Sequence, residues 1–472
     1  MMAELLSLVA PRRAAKWLYV VGAISALTGC PSDKVDAARF ATDTTQPDTQ
    51  SAVGAEADAV AQDGEATADA ADDVLLADAD PTTTDASDGG LTVQDTDETG
   101  TEDAGDAATG PEPWAVEIQA GGGNTCAILS TGGLSCWGKN DNGEVGNGGA
   151  GGNEVNVPAA INGLKAVTEV AVGDSHACAL HDGGKVLCWG DNFHSQLGNG
   201  TKHGNQATPT LTKMPITATH IGGSVDAMTA TGDDKLYGWG NNWGDKQLSG
   251  TSASQPFPTV VTHAALTGAI KQICNGETVS CALGADSIVK CWGGSSWGEA
   301  GHDTLDTTQK PLMPKPVTGL SKVVGLTCGS WHGCAWNEAG KAWCWGKNLS
   351  GQLGNGGKKN VEAAIQVQGL SDVVHMAAGR NHTCATLKNG EVWCWGSNSS
   401  AQVTASPATK SALTPQKIDF AGKATRVAAG KRHSCLLTDS GDVYCWGGND
   451  HGQIGDGTLT QQSKPVQAKP MP

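Results

Sequence analysis

Beyond residue 113, small and apolar positions alternate with polar ones in short runs, and turn residues break the runs. Val167-x-x-Val170-Ala171-x-Gly173-x-x-His176-x-Cys178-Ala179-Leu180 is one such run. The turn Asp182-Gly183-Gly184 separates it from Val186-x-Cys188-Trp189-Gly190. This alternation predicts strands joined by hairpins, and no apolar stretch is long enough for a helix. The pattern recurs. Trp137, Trp189, Trp239, Trp292, Trp345, Trp395 and Trp446 each precede a glycine, at intervals of 50 to 53 residues. Seven units of several strands each fill 113–472 and predict an all-β chain, a seven-bladed β-propeller whose radial closure leaves only short edges.

The ends of the array carry an expectation about closure. The first unit opens at Trp114 to Ile118 without the Pro-x-x-Val/Ile-x-x-Leu strand that precedes units 2 to 7, as at Pro158 to Leu164. Pro465-Val466 at the C-terminus has the look of that strand, so it is expected to complete the blade begun at Trp114, without covalent closure.

Cysteines add a second period. Cys126 and Cys136, Cys178 and Cys188, Cys281 and Cys291, Cys334 and Cys344, Cys384 and Cys394, and Cys435 and Cys445 are each ten apart. In unit 2 the midpoint falls in the hairpin turn, which sets the two residues opposite each other on adjacent antiparallel strands, within disulfide range. Unit 3 has Met228 and Gly238 there by linear count, losing both cysteines together as a bonded pair would. Cys274 and Cys328, at nearly equivalent places in units 4 and 5, are left as either a blade-to-blade bridge or two free thiols. Two cysteines per blade do not make a tetrahedral zinc site, so no metal is expected.

The small-apolar-Gly-x-x-His run, the hairpin, and the motif Trp-Gly-x-Asn-x-x-Gly-Gln-Leu-Gly recur in register, as in Cys344 to Gly356, CWGKNLSGQLGNG. Over nearly all of 113–472 this resembles the regulator of chromosome condensation family. The resemblance implies a seven-bladed propeller that presents loops to protein partners. It also brings in guanine nucleotide exchange, which the best-known eukaryotic member performs. The cysteine pairs depart from the eukaryotic pattern.

Candidate chemistry is sparse. His176, His332, His382 and His433 sit two residues before a paired cysteine, with Asn124, Asp226 and Val279 at that count in units 1, 3 and 4. Repetition points to a shared structural hydrogen bond, and Gln196, Gln352, Gln402 and Gln453 read as loop braces. No carboxylate pair, nucleophile–base set or phosphate loop breaks the repeat, so no catalytic residue and no cofactor is expected. A polysaccharide-acting enzyme stays as an alternative that carboxylates in the central channel would favour. Aromatic and apolar residues do break the repeat: Phe193, Trp243, Trp297, Trp331 and Leu349 fall on four consecutive units. They form either a one-sided binding patch or covers for blade junctions.

Charge separates the N-terminus from the array. Residues 31–112 hold 22 Asp and Glu against Lys34 and Arg39, while 113–472 is neutral overall and lacks the basic surface that nucleic acid requires. The acidic, aromatic-poor stretch reads as a disordered linker. A calcium-loop echo at Asp95-x-Asp97-x-Thr99-Gly100 lacks the closing Glu. Arg12, Arg13 and Lys16 precede the apolar run WLYVVGAISA and then Leu27-Thr-Gly-Cys30. That order marks a secretory signal, and its ending resembles the bacterial lipobox, with Cys30 as the lipidated residue. The expected organisation is a signal peptide over 1–29, a lipidated cysteine and acidic linker over 30–112, and the propeller over 113–472. The expected protein is a monomeric lipoprotein of the bacterial cell envelope, at the outer membrane or cell surface. It would bind a protein or an envelope glycan without catalysis and touch the membrane through Cys30 alone. Paired cysteines suit that oxidising setting.

Overall fold

A computed structural model describes residues 113–472 apart from 247–251, 267, 303–311, 405, 407 and 408. The expected signal, lipobox, acidic linker and calcium-loop echo lie outside the described residues.

Among the described residues, twenty-eight strands form seven four-stranded antiparallel sheets, each built from four consecutive strands. In blade 1 these are β1 (Ala115–Ala120), β2 (Asn124–Leu129), β3 (Leu134–Gly138) and β4 (Val155–Ala160). Blades 2 to 7 repeat the plan over 169–211, 220–261, 270–316, 323–366, 373–417 and 424–467. First strands of consecutive blades lie against one another around the ring, and β1 lies against the first strand of blade 7. Second and third strands are almost wholly buried because both sheet faces pack on neighbouring blades. The fourth strands form the rim. Pro158, Pro209, Pro258, Pro314, Pro415 and Pro465 lie in them, and a proline cannot donate to an added strand.

The Trp-Gly dipeptide has a geometric cause. Gly346 sits at φ +98°, and a Cβ there would meet the Trp331 carbonyl oxygen at 2.6 Å. The ladder to the fourth strand shifts register at this glycine, between Cys344 and Gly346, so the bulge and the close approach both demand it. The tryptophan beside it joins blades. Trp137 Nε1–H donates to the Gln453 carbonyl at 3.0 Å, Trp189 to Glu144 at 2.9 Å, and Trp239 to Gln196 at 3.0 Å. Trp292, Trp345, Trp395 and Trp446 do the same to Lys246, Glu299, Gln352 and Gln402. Each indole is fully buried and crosses to the preceding blade, so the ring is stitched seven times by one bond type. Trp395→Phe keeps most of the volume but loses this bond, and should cost about 1–2 kcal/mol. Trp393→Phe, at a half-buried indole that bonds Glu391 two residues away, should cost under about 0.5 kcal/mol. Denaturant midpoints of the two variants check this; equal losses would count against the stitch.

Closure differs from the expectation. The strand containing Pro465 and Val466 pairs with its own blade, Cys445 opposite Val466, and does not join the blade begun at Trp114. A repeat fixes the period of a propeller but not the phase at which a sheet begins. The fourth strand, which contains proline in every blade but the fifth, ends its unit, so the first blade was never missing one. Blade 1 instead docks on blade 7 through the contacts that join the other blades. Lys431 N–H donates to the Gly121 carbonyl at 2.9 Å, Trp137 reaches Gln453, and Gly457 N–H meets the Asn156 carbonyl at 2.9 Å.

The hairpin cysteines face each other in register on the second and third strands of their blades. Cys126 stands opposite Cys136, Cys178 opposite Cys188 and Cys281 opposite Cys291. Cys334 stands opposite Cys344, Cys384 opposite Cys394 and Cys435 opposite Cys445. All six pairs have Cα atoms 4.0–4.1 Å apart, and each is a disulfide in the structure. Cys274 and Cys328 are also joined, bridging the first strands of blades 4 and 5 across 5.5 Å between Cα atoms. Of the two alternatives for these residues, the structure takes the bridge and not the free thiols. Unit 3 corrects the linear count. Its hairpin turns through Asp233-Asp234, both at positive φ, one residue shorter than the others. Thr229, not Met228, therefore opposes Gly238, and Ala227, not Asp226, stands where blades 2, 5, 6 and 7 carry histidine.

Candidate functional site

The loops after each first and third strand share one end of the ring. In the third-strand loop of blade 5, Asn348 Oδ1 accepts from Leu353 N–H at 3.0 Å, and its Nδ2 donates to the Gly357 carbonyl at 3.0 Å. Gln352 Oε1 accepts from Ser350 N–H at 2.9 Å, and Leu353 is buried beneath. Pinned on both sides, the loop pushes the residue between them outward: Leu349 is 51% exposed. The same bracing projects Phe193, 57% exposed, in blade 2. Blade 3 holds Trp243, also 57% exposed, by other bonds: its N–H donates to Asn241 Oδ1, and Asn242 Nδ2 donates to Asp245 Oδ1. The Gln series is thus a set of loop braces, joined by Glu144 and Glu299, whose carboxylates accept from Asn142 and Trp297 N–H. Lys246 takes the place of Gln in blade 3. Its buried ammonium donates to the Glu277 carbonyl at 2.8 Å, and burial pushes its pKa down to about 8.

Trp297 belongs to the next position along, where side chains lean over the following blade, as His194 does toward Asp226. There Trp297 meets Lys347, whose Nζ lies 5.0 Å from its ring centre and 4.1 Å from that of Trp331. The Arg380 guanidinium stands 5.7 Å from the Trp331 ring. Of the five predicted patch residues, the structure brings Trp297 and Trp331 together around one lysine. Phe193, Trp243 and Leu349 stand one per blade, with Phe193 against His194 and His203 of its own loop. Sequence reasoning missed Lys347 and Arg380. A signal was present: the residue after each first-strand glycine reads Asp174, Glu277, Arg380 and Lys431 in blades 2, 4, 6 and 7.

The histidines form blade junctions. His332 Nε2 lies 2.9 Å from Thr383 Oγ1, His382 from Ser434 Oγ, and His433 from Thr125 Oγ1. Each hydroxyl already donates to a glutamine carbonyl, those of Gln352, Gln402 and Gln453, so the imidazole Nε2–H is the donor. Among the described residues the opposite ring nitrogens make no hydrogen bond. Burial drives His332 and His433 down to about 3 and His382 to about 4, which keeps all three neutral. His176 faces blade 3, which has Met228 opposite Trp239 where the other partners carry a hydroxyl, and its pKa also falls to about 3 through burial.

The channel has a cavity of about 470 Å³ lined by Glu117, Glu169, His220, Gln272 and His375. These side chains cap the inner strand edges, which do not pair across blades. Glu169 accepts from Ile221 N–H at 2.8 Å and lies 2.7 Å from His220 Nδ1. Gln272 brackets Leu326, and Arg426 holds Glu117 at 2.8 Å. Both channel carboxylates are thereby engaged in pairing. Among the described residues no group of His, Cys, Asp and Glu is placed to hold a metal ion.

The RCC1-like domain model matches residues 213–471, more than half of the chain, and the RCC1 repeat model matches at 115–144, 131–180 and 167–196. The chain belongs to the RCC1-like domain family. It is 31% identical over 343 residues to human E3 ubiquitin-protein ligase HERC2, covering 70% of this chain but only 7% of HERC2. It is 26% identical over 381 residues to the ultraviolet-B receptor UVR8 of Arabidopsis thaliana, covering 78% and 72% of the two chains. Among solved structures, yeast RCC1 (Prp20) bound to Kap60 matches with a TM-score of 0.63 at 21% identity, over 79% of this chain and 91% of that one. Human WBSCR16 matches with a TM-score of 0.61 at 20% identity, over 71% and 94%. These two share the RCC1-like fold.

Proposed function

We propose that this RCC1-like propeller is a non-catalytic protein-binding module, lipid-anchored through Cys30 at a bacterial cell envelope, that engages its partner with the loop face. The observation that carries the reading is the way braced loops on blades 2, 3 and 5 hold Phe193, Trp243 and Leu349 outward. Beside them the Trp297–Lys347–Trp331 cluster stands at the channel mouth. Rigid loops present aromatic side chains at little entropic cost, which is what a binding hot spot needs. The family gives support in kind: yeast Prp20 was solved with Kap60 bound. The match to HERC2 spans 7% of that ligase and carries no ligase activity here. The export signal in the sequence separates this chain from cytosolic GTPases, so exchange is not proposed.

Crosslinking on intact cells tests the reading. A Phe193→Ser, Trp243→Ser, Trp331→Ser triple variant should lose at least about tenfold of the crosslinked partner while melting within a few degrees of wild type. Cys30→Ser should release the protein from the membrane fraction. An unchanged crosslink pattern in the triple variant would sink the loop-face assignment.

A further inference from the structure

Three cations gather on the loop face around the channel mouth, none of them in a salt bridge among the described residues. Lys139, Arg426, Arg432 and Lys417 each have a carboxylate within 4.0 Å, whereas Lys347, Arg380 and Lys431 have none among the described residues. Lys347 and Arg380 share the Trp331 ring, at 4.1 Å and 5.7 Å. Burial, and then the Arg380 guanidinium, hold the Lys347 ammonium below its ordinary value. Two like charges against one indole repel, and an anion between them would turn that repulsion into attraction. Arg380 and Lys431 also line a small cavity of about 80 Å³ at the channel mouth, which suits a single small group.

The opposite wall limits what that anion belongs to. Asp174 lines the same cavity, and Asp226 and Glu277 follow on blades 3 and 4, all three with pKa values raised chiefly by burial. A run of phosphates laid across the mouth would meet these carboxylates. Asp174 already attracts Lys431 and Arg380, and Glu277 attracts Arg380 and Lys347. The cations thus keep a small surplus that one carboxylate with an apolar neighbour on the tryptophans can use and a run of phosphates cannot.

We propose that the Lys347–Arg380–Lys431 side of the mouth receives an aspartate or glutamate side chain of a protein partner, whose adjoining apolar residue rests on Trp331 and Trp297. This deepens the binding-module reading and rests on it.

The test is selection of a phage-displayed random dodecapeptide library on the full chain, followed by fluorescence anisotropy with the enriched peptides. Enrichment of Asp or Glu beside Leu, Ile or an aromatic residue is expected. Affinity should fall at least about tenfold for the Lys347→Gln, Arg380→Gln double variant and for the peptide with its acid changed to the amide. It should also weaken as salt rises from about 50 to about 300 mM. Lys431→Gln, at an exposed side chain, gives a second variant should the double one melt early. Peptides without acidic residues, or binding indifferent to all these changes, would overturn the proposal. So would equal binding by a single-stranded oligonucleotide or by inorganic phosphate. If no peptide is selected while the cellular crosslink still depends on the loop residues, the acidic-partner proposal fails and the binding-module reading stands.

Discussion

Titration of the native propeller with a phosphine reductant should open Cys274–Cys328 first and leave the six hairpin disulfides closed. The half-cystines of the hairpin pairs are at most 1% exposed, whereas Cys274 and Cys328 are half-buried on the wall of the channel cavity. Exchange needs access of the attacking reagent to sulfur, so the bridge between blades 4 and 5 reacts from the folded state. The hairpin pairs must wait for local opening. Forcing all seven open should unfold the domain. A ten-residue separation gives each hairpin bond roughly 3 kcal/mol in chain-entropy terms, and the 54-residue separation of Cys274 and Cys328 about 4 kcal/mol. Together these exceed the roughly 5–15 kcal/mol by which a folded domain outlasts its unfolded chain. Alkylation and mass measurement at each reductant level follow the order, and circular dichroism follows the fold. A native melting transition after all fourteen of these cysteines have been alkylated would sink the claim. Uniform labelling of all seven pairs would sink the ordering.

Much of this architecture is legible in the linear sequence because a propeller is periodic. The seven Trp-Gly dipeptides count the blades, and the ten-residue cysteine spacing locates the hairpin at the centre of each. Phase is not legible, since no residue near Pro158 says whether its strand closes one sheet or opens the next; only pairing partners decide. The one-residue deletion at Asp233-Asp234 is equally silent until the turn is seen, and it displaced two assignments in blade 3. The site was legible by halves. Phe193, Trp243 and Leu349 stand out because they depart from a polar column at a position that the loop braces force outward. Lys347 and Arg380 belong to different columns of the repeat and meet only because one blade's third-strand loop lies beside the next blade's first-strand loop. Linear spacing does not encode that contact. The reach of Trp395 to Gln352 escapes for the same reason.

Acid should unfold the propeller at a pH where its carboxylates are still largely ionised. His176, His332, His375 and His433 have pKa values pushed down to about 3, and His382 to about 4, in every case first by burial. In the unfolded chain each titrates near 6.5. Between those values the unfolded state binds more protons, so this stability is complete above about pH 6.5 and is lost as pH falls toward 3–4. At pH 5 each fully buried histidine forfeits about 2 kcal/mol, and His176, His332, His382 and His433 together forfeit on the order of the whole domain's stability; His375, which lines the channel cavity, adds less. Two effects oppose it. Glu117, Asp174, Asp226, Glu277 and Glu299 have raised values through burial and favour the folded state as pH falls through those raised values. His220, raised by its bond to Glu169, adds stability below its unfolded value that is lost as pH rises through its folded one. A drop in melting temperature of about 15 °C between pH 7.5 and pH 5 is therefore expected. A flat profile over that range would refute it. His382→Asn isolates the cause, because asparagine is what blade 1 carries at this place, Asn124, donating to the Lys139 carbonyl. The variant should lose little at pH 7.5 and should reduce the pH slope by about one proton. A slope unchanged by removing His382 would assign the acid sensitivity to the carboxylates instead.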